Sequence, residues 1–426
     1  MRVFLDCTHT AKNSYKNTGI HRVVRELTSE SIAICAEYLD LDIIPVMFDG
    51  YGMRRVFNFG DDIYGESIAK ICLFDSTAKN ISKFSIFLLK LKNKVINNIN
   101  AFKSKIYPLD IEFENIRFSQ NDIYIIADAN WDLPESYYHF LQNLKAHQVT
   151  IGVICYDLIP TKFPEYCSKK FVDRFVNFYS HYSPLFDKVL CISKQSAADY
   201  THAQAIGILP NNSSSIVSSF RLGSNFTSKE LIRDGNSNDD RYPIDIISSR
   251  YVLVVGSLTP HKNIKTILAA FNLLTDENYQ DVHLILAGNK GWDVETDRAI
   301  ETNEMYQKRV HVLGSISDYQ LDVLYRNCYC LIQASFYEGF GLPVVEALQH
   351  GKPVISSTGG SLPEVGGDFC IYFDPNQPIE LYEALQKILT SDLEYDCLTA
   401  HIRSKYKIFS WNDSAKQFLD CLLKIP

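Results

Sequence analysis

The sequence of 426 residues lacks several features that would each indicate a particular class of protein. No apolar run approaches the roughly 18 residues that a membrane-spanning helix requires. An excess of positive charge is also missing, because 42 lysines and arginines face 50 aspartates and glutamates, which gives a net charge of −8. A protein that wraps nucleic acid with a generally basic surface is therefore disfavoured.

Paired cysteines are a second absence. The eleven cysteines are scattered, and the closest two, Cys328 and Cys330, have neither the CxxC spacing nor the neighbouring histidines of a zinc site. This usage indicates reduced thiols, so we expect a cytoplasmic protein. Residues 1–6 are too acidic for a secretory signal and predict a buried strand instead.

Several catalytic patterns are missing too. No G-x-G-x-x-G string follows a strand and opens a helix, which argues against a dehydrogenase, and spacing alone identifies no Ser-His-Asp or Cys-His arrangement. Asp40 and Asp42 have the D-x-D spacing of metal-dependent transferases of another fold. They lead directly into an apolar run, which favours a structural role over a metal site.

What the sequence does contain is an alternation of short apolar runs with longer helical stretches. The runs are rich in β-branched and aromatic residues, as buried parallel strands are. They lie at 3–5, 43–48, 123–127, 151–155 and 189–192, and again at 251–255, 283–287, 310–313, 330–333 and 353–356. This pattern predicts an α/β protein with two doubly wound, Rossmann-like domains.

Composition also predicts the domain boundaries. The stretch 227–247 is rich in Gly, Asn, Asp and Ser and predicts a linker between an N-terminal domain, 1–226, and a C-terminal domain, 248–408. Apolar residues at helical spacing predict a final helix within 409–426, capped near Asn412 or Asp413, that packs back on the N-terminal domain. Two such domains would face a central cleft at the carboxyl ends of their strands, where ligands of these folds bind.

Residues 79–106 differ from the rest of this acidic chain because they are basic. The part from Lys79 to Lys105 contains seven lysines and no acidic residue. Apolar residues recur there at three- and four-residue steps, which predicts an amphipathic helix. Such a helix either lies on an anionic membrane surface or packs on its own domain with a solvated lysine face, and both alternatives stay open.

The most informative stretch is 338–348, with the sequence EGFGLPVVEAL. It follows a predicted strand; Pro343 suits the first turn of a helix, and Gly351 suits the end of that helix. The loop before such a helix can direct backbone N–H groups at an anion. Glu338 and Glu346 bracket this anion site, and since carboxylates repel phosphate, they are suited to sugar hydroxyls. The stretch therefore predicts a nucleotide-sugar pocket.

This element resembles the retaining GT-B glycosyltransferases of family 4, whose E-x7-E motif it matches from Glu338 to Glu346. The segments 255–263, 286–288, 313–318 and 358–365 extend the resemblance over most of the chain. The segments 17–23 (NTGIHRV) and 156–160 (YDLIP) are similar to the bacterial branch that builds surface polysaccharides. The resemblance implies the GT-B architecture, in which two doubly wound domains face each other across a cleft.

The resemblance also implies a role for each matched residue. Glu346 would bind the ribose hydroxyls, Glu338 the hydroxyls of the donor sugar, and Lys262 the diphosphate. The remaining contacts would come from the backbone of Phe340, Gly341 and Leu342, from Gly19 in the N-terminal domain, and from the turn of Leu313 and Ser315, which would receive the base. Each of these residues alone has a simpler explanation, as a turn glycine or a solvated lysine, and only the combination favours a site.

Two departures from the family pattern concern the charge of the site. The family commonly has an arginine where Ser257 stands, and this branch often has one where His261 stands. We predict that a bound diphosphate protonates His261, because a histidine is otherwise largely neutral at pH 7. The second departure is a tyrosine in place of the histidine before Asp157. Asp157 follows a predicted strand and either contacts donor or acceptor or only caps the following turn.

The implied activity is that of a retaining hexosyltransferase with a nucleotide-sugar substrate and no cofactor. Lys262, the helix N-terminus and backbone donors would replace a metal ion, so no metal is expected. The implied reaction moves mannose from GDP-mannose to a polyprenyl-diphosphate-linked oligosaccharide, for O-antigen or capsule-type polysaccharide, at the inner face of the cytoplasmic membrane. GDP-fucose, dTDP-rhamnose and UDP-sugars stay open as donors, and so does a non-catalytic GT-B paralogue that binds glycan or nucleotide-sugar.

Overall fold

The computed structural model of the protein describes residues 1–13, 18–38, 40–50, 52–56, 118–226, 249–274 and 279–424. The basic segment 79–106 and the predicted linker 227–247 lie outside the described residues. Within the described ranges, no helix is both long enough and apolar enough to cross a membrane.

The first sheet is doubly wound. Its strands are β1 (Arg2–Asp6), β2 (Asp42–Phe48), β3 (Met53–Arg55), β4 (Ile123–Ile126), β5 (Thr150–Cys155), β6 (Lys188–Cys191) and β7 (Ile216–Ser219). Their spatial order is β3-β2-β1-β4-β5-β6-β7. Strand β1 pairs in parallel with β2 and β4, β4 pairs in parallel with β5, and β3 runs antiparallel to β2. The order therefore reverses between β1 and β4.

The second sheet is parallel in every described pair. Its strands are β8 (Arg250–Val255), β9 (Val282–Ala287), β10 (Val310–Gly314), β11 (Cys330–Gln333), β12 (Val354–Ser357) and β13 (Cys370–Phe373). Their order is β10-β9-β8-β11-β12-β13. The reversal of strand order falls between β8 and β11, which makes the carboxyl ends of these two strands the expected place for a ligand.

Helices connect the strands and cover the sheets. Their bounds are α1 (Thr8–Lys12), α2 (Gly19–Tyr38), α3 (Glu135–Ala146), α4 (Ile159–Lys162), α5 (Lys169–Tyr182), α6 (Lys194–Ala205), α7 (Ile264–Asn272), α8 (Val294–Thr302), α9 (Glu304–Arg309), α10 (Asp318–Asn327), α11 (Leu342–Gln349), α12 (Leu362–Gly366), α13 (Pro378–Thr390), α14 (Asp392–Lys405) and α15 (Trp411–Leu423). Apolar stripes of α7 and α13 pack on the second sheet, where Val252, Leu284, Phe271 and Leu381 are almost fully buried.

The predicted α/β class is confirmed. Each of the ten apolar runs forms a strand whose bounds agree with the prediction within one residue, because continuous β-branched runs bury both faces of a parallel strand. Strands β3, β7 and β13 were not predicted. They are short, and β3 and β7 carry arginines or serines in place of an apolar run.

The chain forms two compact units. The first consists of residues 1–154, 181–189 and 212–216, and the second of residues 155–180, 190–211 and 217–426. The second unit therefore combines the second sheet with the loops and helices that follow β5 and β6. The predicted domain boundaries at 226, 248 and 408 stay predictions.

The cap of the final helix, α15, lies two residues before the predicted Asn412 and three before Asp413. This cap is Ser410, whose hydroxyl accepts a hydrogen bond from the Asp413 N–H, while the Asp413 carboxylate accepts one from the Ser410 N–H. This reciprocal capping box fixes the start of the helix at Ser410, ahead of Asn412 and Asp413. The helix packs on residues 219–225. The ring centroids of Phe418 and Phe220 are 5.5 Å apart, and a Cβ at Gly223 would lie 2.4 Å from the backbone nitrogen of Trp411.

We predict that Phe418→Ala destabilises the protein by about 3–5 kcal/mol, since the side chain is fully buried and its removal leaves a cavity. Leu423→Ala on the same helix is the control, because Leu423 is 37% exposed and should cost less than about 1 kcal/mol. Denaturant unfolding at pH 7 measures both. Equal losses for the two variants would contradict the packing described for α15.

Candidate active site

The residues predicted from the glycine-rich stretch lie at the reversal point of the second sheet. Lys262 follows β8, and Glu338 follows β11, the neighbouring strand. Helix α11 begins at Leu342, with Pro343 in its first turn and Gly341 as its cap at φ +100°. Gly351 follows the helix at φ +67°. The predicted positions of proline and glycine at the two ends of this helix are confirmed.

The loop before α11 is held by serines. The Ser361 hydroxyl donates to the carbonyl oxygens of Glu338 and Phe340, at 3.0 and 2.9 Å. The hydroxyls of Ser193 and Ser196 donate to the Gly339 carbonyl, at 2.7 and 3.1 Å. Three successive carbonyls are thus fixed by the protein, and the positive end of the α11 dipole lies directly after them, which favours an anion there.

Gly339 brings this loop against the end of β5. A Cβ at Gly339 would lie 2.3 Å from the Tyr156 carbonyl oxygen and 2.9 Å from the Asp157 Cβ. Neither distance is possible for a real side chain, so only glycine permits the approach. As a result Asp157, which is remote in sequence, lies beside the residue that follows Glu338.

The most direct contact in the site is an ion pair. The Lys262 Nζ lies 2.5 Å from Glu338 Oε1, and both side chains are largely buried, with 19% and 11% exposed. Gln333 Nε2 and Ser335 Oγ donate to the same oxygen, at 2.7 and 2.6 Å. Burial raises the pKa of Glu338, but the charge and hydrogen bond of Lys262 outweigh it and leave this pKa below its ordinary value.

Glu346 has a different set of partners. It is 2% exposed, and its Oε2 accepts a hydrogen bond of 2.6 Å from the Tyr325 hydroxyl. The Tyr325 ring in turn stacks on His350 with centroids 5.8 Å apart. A buried carboxylate on the first turns of α11 can accept further hydroxyl bonds, as the ribose role requires. That Glu338 and Glu346 grip one donor stays a prediction.

Asp157 lies in the same electrostatic environment. Its Oδ1 accepts a hydrogen bond of 3.0 Å from the Ile159 N–H, so the capping role considered from the sequence is real. Burial raises the pKa of Asp157 to about 6, the Ile159 bond opposes this, and the negative charge of Glu338 adds to it. Asp157 is therefore mostly ionised at pH 7 but poised to bind a proton slightly below it.

His261 is neutral in this structure. Burial and, to a smaller extent, the neighbouring Lys262 ammonium together lower the pKa of His261 to about 4, against the opposing charge of Glu338. Its Nδ1 lies 3.1 Å from the Thr259 hydroxyl. A diphosphate that protonates His261 at pH 7 must raise this pKa by about 3 units, which corresponds to about 4 kcal/mol of interaction. The prediction that this happens stays untested.

The other predicted residues are more dispersed. Leu313 and Ser315 flank Gly314 at the carboxyl end of β10, two strands from β8, and Ser315 is exposed. Gly19 is the exposed first residue of α2 in the first unit. The structure therefore brings Asp157, Lys262 and Glu338 together and places the predicted base-binding turn on the same edge of the sheet.

Sequence reasoning missed the residues that hold Glu338 in place. Gln333 and Ser335 bind its carboxylate, and Ser361 binds its carbonyl. All three are buried polar side chains that stand at or just beyond the ends of predicted strands. That position is a usable signal, because a polar residue ending an apolar strand at a carboxyl edge commonly faces a site.

Two doubly wound sheets are the architecture of the GT-B fold class, and the comparisons with known proteins agree. Residues 245–404 match the family model described as "Glycosyl transferases group 1". The matched residues include Lys262, Glu338 and Glu346. The resemblance that the sequence predicts is thereby confirmed for the part of the chain that carries the site.

Two curated relatives are named as mannosyltransferases. The chain is 34% identical over 170 residues to O-antigen chain mannosyltransferase B of Escherichia coli, covering 40% of this chain and 45% of that protein. It is 26% identical over 310 residues to the serotype-specific mannosyltransferase WbdA of Escherichia coli, covering 72% of this chain and 37% of that protein. The chain thus spans less than half the length of these relatives.

A solved structure supports the fold over the whole chain. HepE of Anabaena, in a crystal with UDP and glucose, is similar with a TM-score of 0.59 and 13% identity, over 99% of each chain. At this identity the similarity shows the fold alone. It confirms the predicted GT-B fold class.

The raised pKa of Asp157 yields a prediction for Asp157→Asn. An acid whose pKa is about 6 when folded and near 3.8 when unfolded makes the native state less stable as pH rises between these values. Asparagine does not titrate and keeps an oxygen for the Ile159 N–H. We therefore expect the variant to exceed the wild type by up to about 3 kcal/mol at pH 8, and by much less at pH 4.

Denaturant unfolding at several pH values measures this difference. Asp420→Asn, an exposed position on α15, is the matched control and should show no such trend. An Asp157→Asn protein that is less stable than the wild type at pH 8 would show that the carboxylate is stabilising there and would contradict the assignment.

Proposed function

We propose that the protein is a retaining, metal-independent mannosyltransferase. It would move mannose from GDP-mannose to a lipid-linked oligosaccharide in the synthesis of O-antigen or capsule-type polysaccharide. The observation that carries the proposal is the buried Lys262–Glu338 pair beside the N-terminus of α11. It joins a cation for a diphosphate to a carboxylate for sugar hydroxyls at the reversal point of the sheet.

The proposed binding mode follows from these contacts. The diphosphate binds Lys262 and the backbone of residues 340–342, where the dipole of α11 adds positive charge. Glu338 then exchanges its bonds from Ser335 and Gln333 for bonds from hydroxyls of the donor sugar. Glu346, which already binds the Tyr325 hydroxyl, accepts from the ribose.

In the proposed reaction the ammonium of Lys262 stabilises the negative charge that develops on the departing diphosphate. That diphosphate takes the proton of the acceptor hydroxyl on the same face of the sugar, which retains the anomeric configuration. Asp157 lies beside Glu338 and accepts a hydrogen bond from donor or acceptor, since it is mostly ionised at pH 7. No step requires a cofactor or a metal ion.

The choice of mannose rests on the relatives, which are named as mannosyltransferases of O-antigen chains. GDP-fucose, dTDP-rhamnose and UDP-sugars are the alternatives, because backbone contacts to a base distinguish these donors weakly. The acceptor would be a growing glycan on polyprenyl diphosphate. The basic segment 79–106, outside the described residues, would bind the anionic inner surface of the cytoplasmic membrane.

The donor is identified by a panel of nucleotide-sugars in a thermal-unfolding assay. At about 100 times its dissociation constant, the true donor should add about 2.7 kcal/mol to the free energy of unfolding. We expect GDP-mannose to do so and to be turned over in excess EDTA. Glu346→Gln should weaken binding by about 1.5–3 kcal/mol, the value of a hydrogen bond to a charged group, and so remove roughly half or more of that gain.

Glu383→Gln is the control for this variant, because Glu383 is exposed on α13. It should keep the full ligand-dependent gain. A panel in which no nucleotide-sugar stabilises the wild type would overturn the proposed function. Strong stabilisation without any turnover would favour the non-catalytic alternative instead.

Membrane contact is tested by flotation with vesicles that contain anionic lipid. Lys90, Lys92 and Lys94 lie in the basic segment, and changing all three to glutamate should abolish the co-flotation we expect of the wild type, since local charge governs binding within a Debye length. The control changes the exposed Lys405, Lys407 and Lys416 to glutamate, with the same change in net charge. Equal flotation of both variants would remove the membrane role.

A further inference from the structure

Three side chains near Glu338 form a closed polar triangle that the proposed reaction does not use. The Lys162 Nζ donates to Asp199 Oδ1 at 2.7 Å and to the Tyr337 hydroxyl oxygen at 2.8 Å. The Tyr337 hydroxyl donates to the other oxygen of Asp199. Each of the three groups is therefore bonded to the other two.

The triangle links elements that carry the two carboxylates of the site. Lys162 ends α4, the short helix that begins two residues after Asp157, and Tyr337 directly precedes Glu338. Asp199 lies on α6, where Gln195 Nε2 also donates to its Oδ1 at 3.0 Å. Tyr337 is 8% exposed, so its hydroxyl requires partners inside the protein.

Aromatic rings also pack between the residues that follow Asp157 and those that precede Glu338. The Phe163 ring contacts Tyr337 at 5.1 Å between centroids. The Tyr166 ring stacks on Phe336 at 5.0 Å, with the planes only 9° apart. The rings of Phe336 and Tyr337 thus pack on aromatic residues that follow Asp157 in the sequence.

Helix α6 also binds the residue on the other side of Glu338. Ser193, the cap of α6, and Ser196 donate to the Gly339 carbonyl. The Glu364 carboxylate accepts from the N–H groups of Lys194 and Gln195, at 2.9 and 3.0 Å. Since Tyr337 and Gly339 are both held by α6, the backbone of Glu338 is fixed from both directions.

We propose that Lys162, Asp199 and Tyr337 are positioning residues that set the placement of Glu338 relative to Asp157 for sugar transfer. This inference rests on the proposed function. The three residues act through the backbone of Glu338 and are not placed in contact with donor or acceptor. Their loss should therefore impair the chemical step more than nucleotide binding, which depends on Lys262, Glu346 and the start of α11.

Tyr337→Phe is the sharpest test, because it keeps the ring on Phe163 and removes only the hydroxyl. We expect kcat for mannose transfer from GDP-mannose to fall tenfold or more, since small misplacements of reacting groups are costly. The dissociation constant for GDP, measured by calorimetry, should stay within about twofold of the wild type, because the groups proposed to bind the nucleotide are unchanged.

Tyr306→Phe is the matched control. Tyr306 is also buried, and its hydroxyl donates to the Leu268 carbonyl at 3.0 Å, in the core of the second unit. It should lower the melting temperature about as much as Tyr337→Phe and leave kcat unchanged. A purely structural role for Tyr337 would make the two variants alike in every measurement.

Asp199→Asn gives an independent second variant. Because both changes open the same triangle, the double variant should lose little more in kcat than either single variant. Unchanged kcat in an active Tyr337→Phe protein, or parallel losses of kcat and GDP affinity, would overturn this inference alone. A wild type that neither binds nor turns over a nucleotide-sugar would overturn the proposed function and this inference together.

Discussion

The buried ion pair of Lys262 and Glu338 is the interaction on which the rest of the site depends. An ionised carboxylate in this position costs several kcal/mol of desolvation, and here it is offset by an ammonium at 2.5 Å and by donors from Gln333 and Ser335. Removing one partner would leave the other charge buried without compensation. The surrounding polar side chains thus offset the cost of burying this carboxylate.

The pair occurs where it does because of the strand order. Strands β8 and β11 are neighbours although 74 residues lie between the end of β8 and the start of β11. The side chains that follow the two strands therefore meet at one edge of the sheet. Gly256 leaves room for the Lys262 side chain. It adopts φ +131°, and a Cβ there would lie 3.4 Å from Lys262 Cε. Parallel pairing thus brings two loops that are distant in sequence into one site.

Many strands and the two glutamates of the site could be predicted from the sequence, because their signals come from residues that are close together in the chain. Apolar runs gave the ten buried strands, and the order of strand, glycine loop, proline and helix gave Glu338 and Glu346. The pairing of Glu338 with Lys262 and that of Tyr337 with Asp199 could not be predicted, because these contacts span 76 and 138 residues. Strand β7, with two serines and no fully buried residue, carries no periodic signal at all.

The charged groups near the proposed sugar site determine how strongly it would stabilise the sugar and the diphosphate of a donor. Asp157 and Glu338 are both ionised at pH 7, Lys262 offsets one of them, and the pKa of His261 at about 4 leaves its imidazole neutral. The site is therefore negative by about one charge before a ligand binds. Negative charge around the sugar favours the positive charge that develops at its reacting carbon.

The same balance disfavours a diphosphate. In the proposed binding mode the donor would bring negative charge next to Glu338, so its binding would rely on Lys262, on the dipole of α11 and on backbone N–H groups. Once the sugar has left, the hydroxyl bonds to Glu338 are lost and the repulsion between carboxylates and diphosphate remains. In the proposed binding mode, an arginine in place of Ser257 or His261 would offset that repulsion, whereas a His261 that stayed neutral would leave it in place and favour release of the nucleotide after transfer.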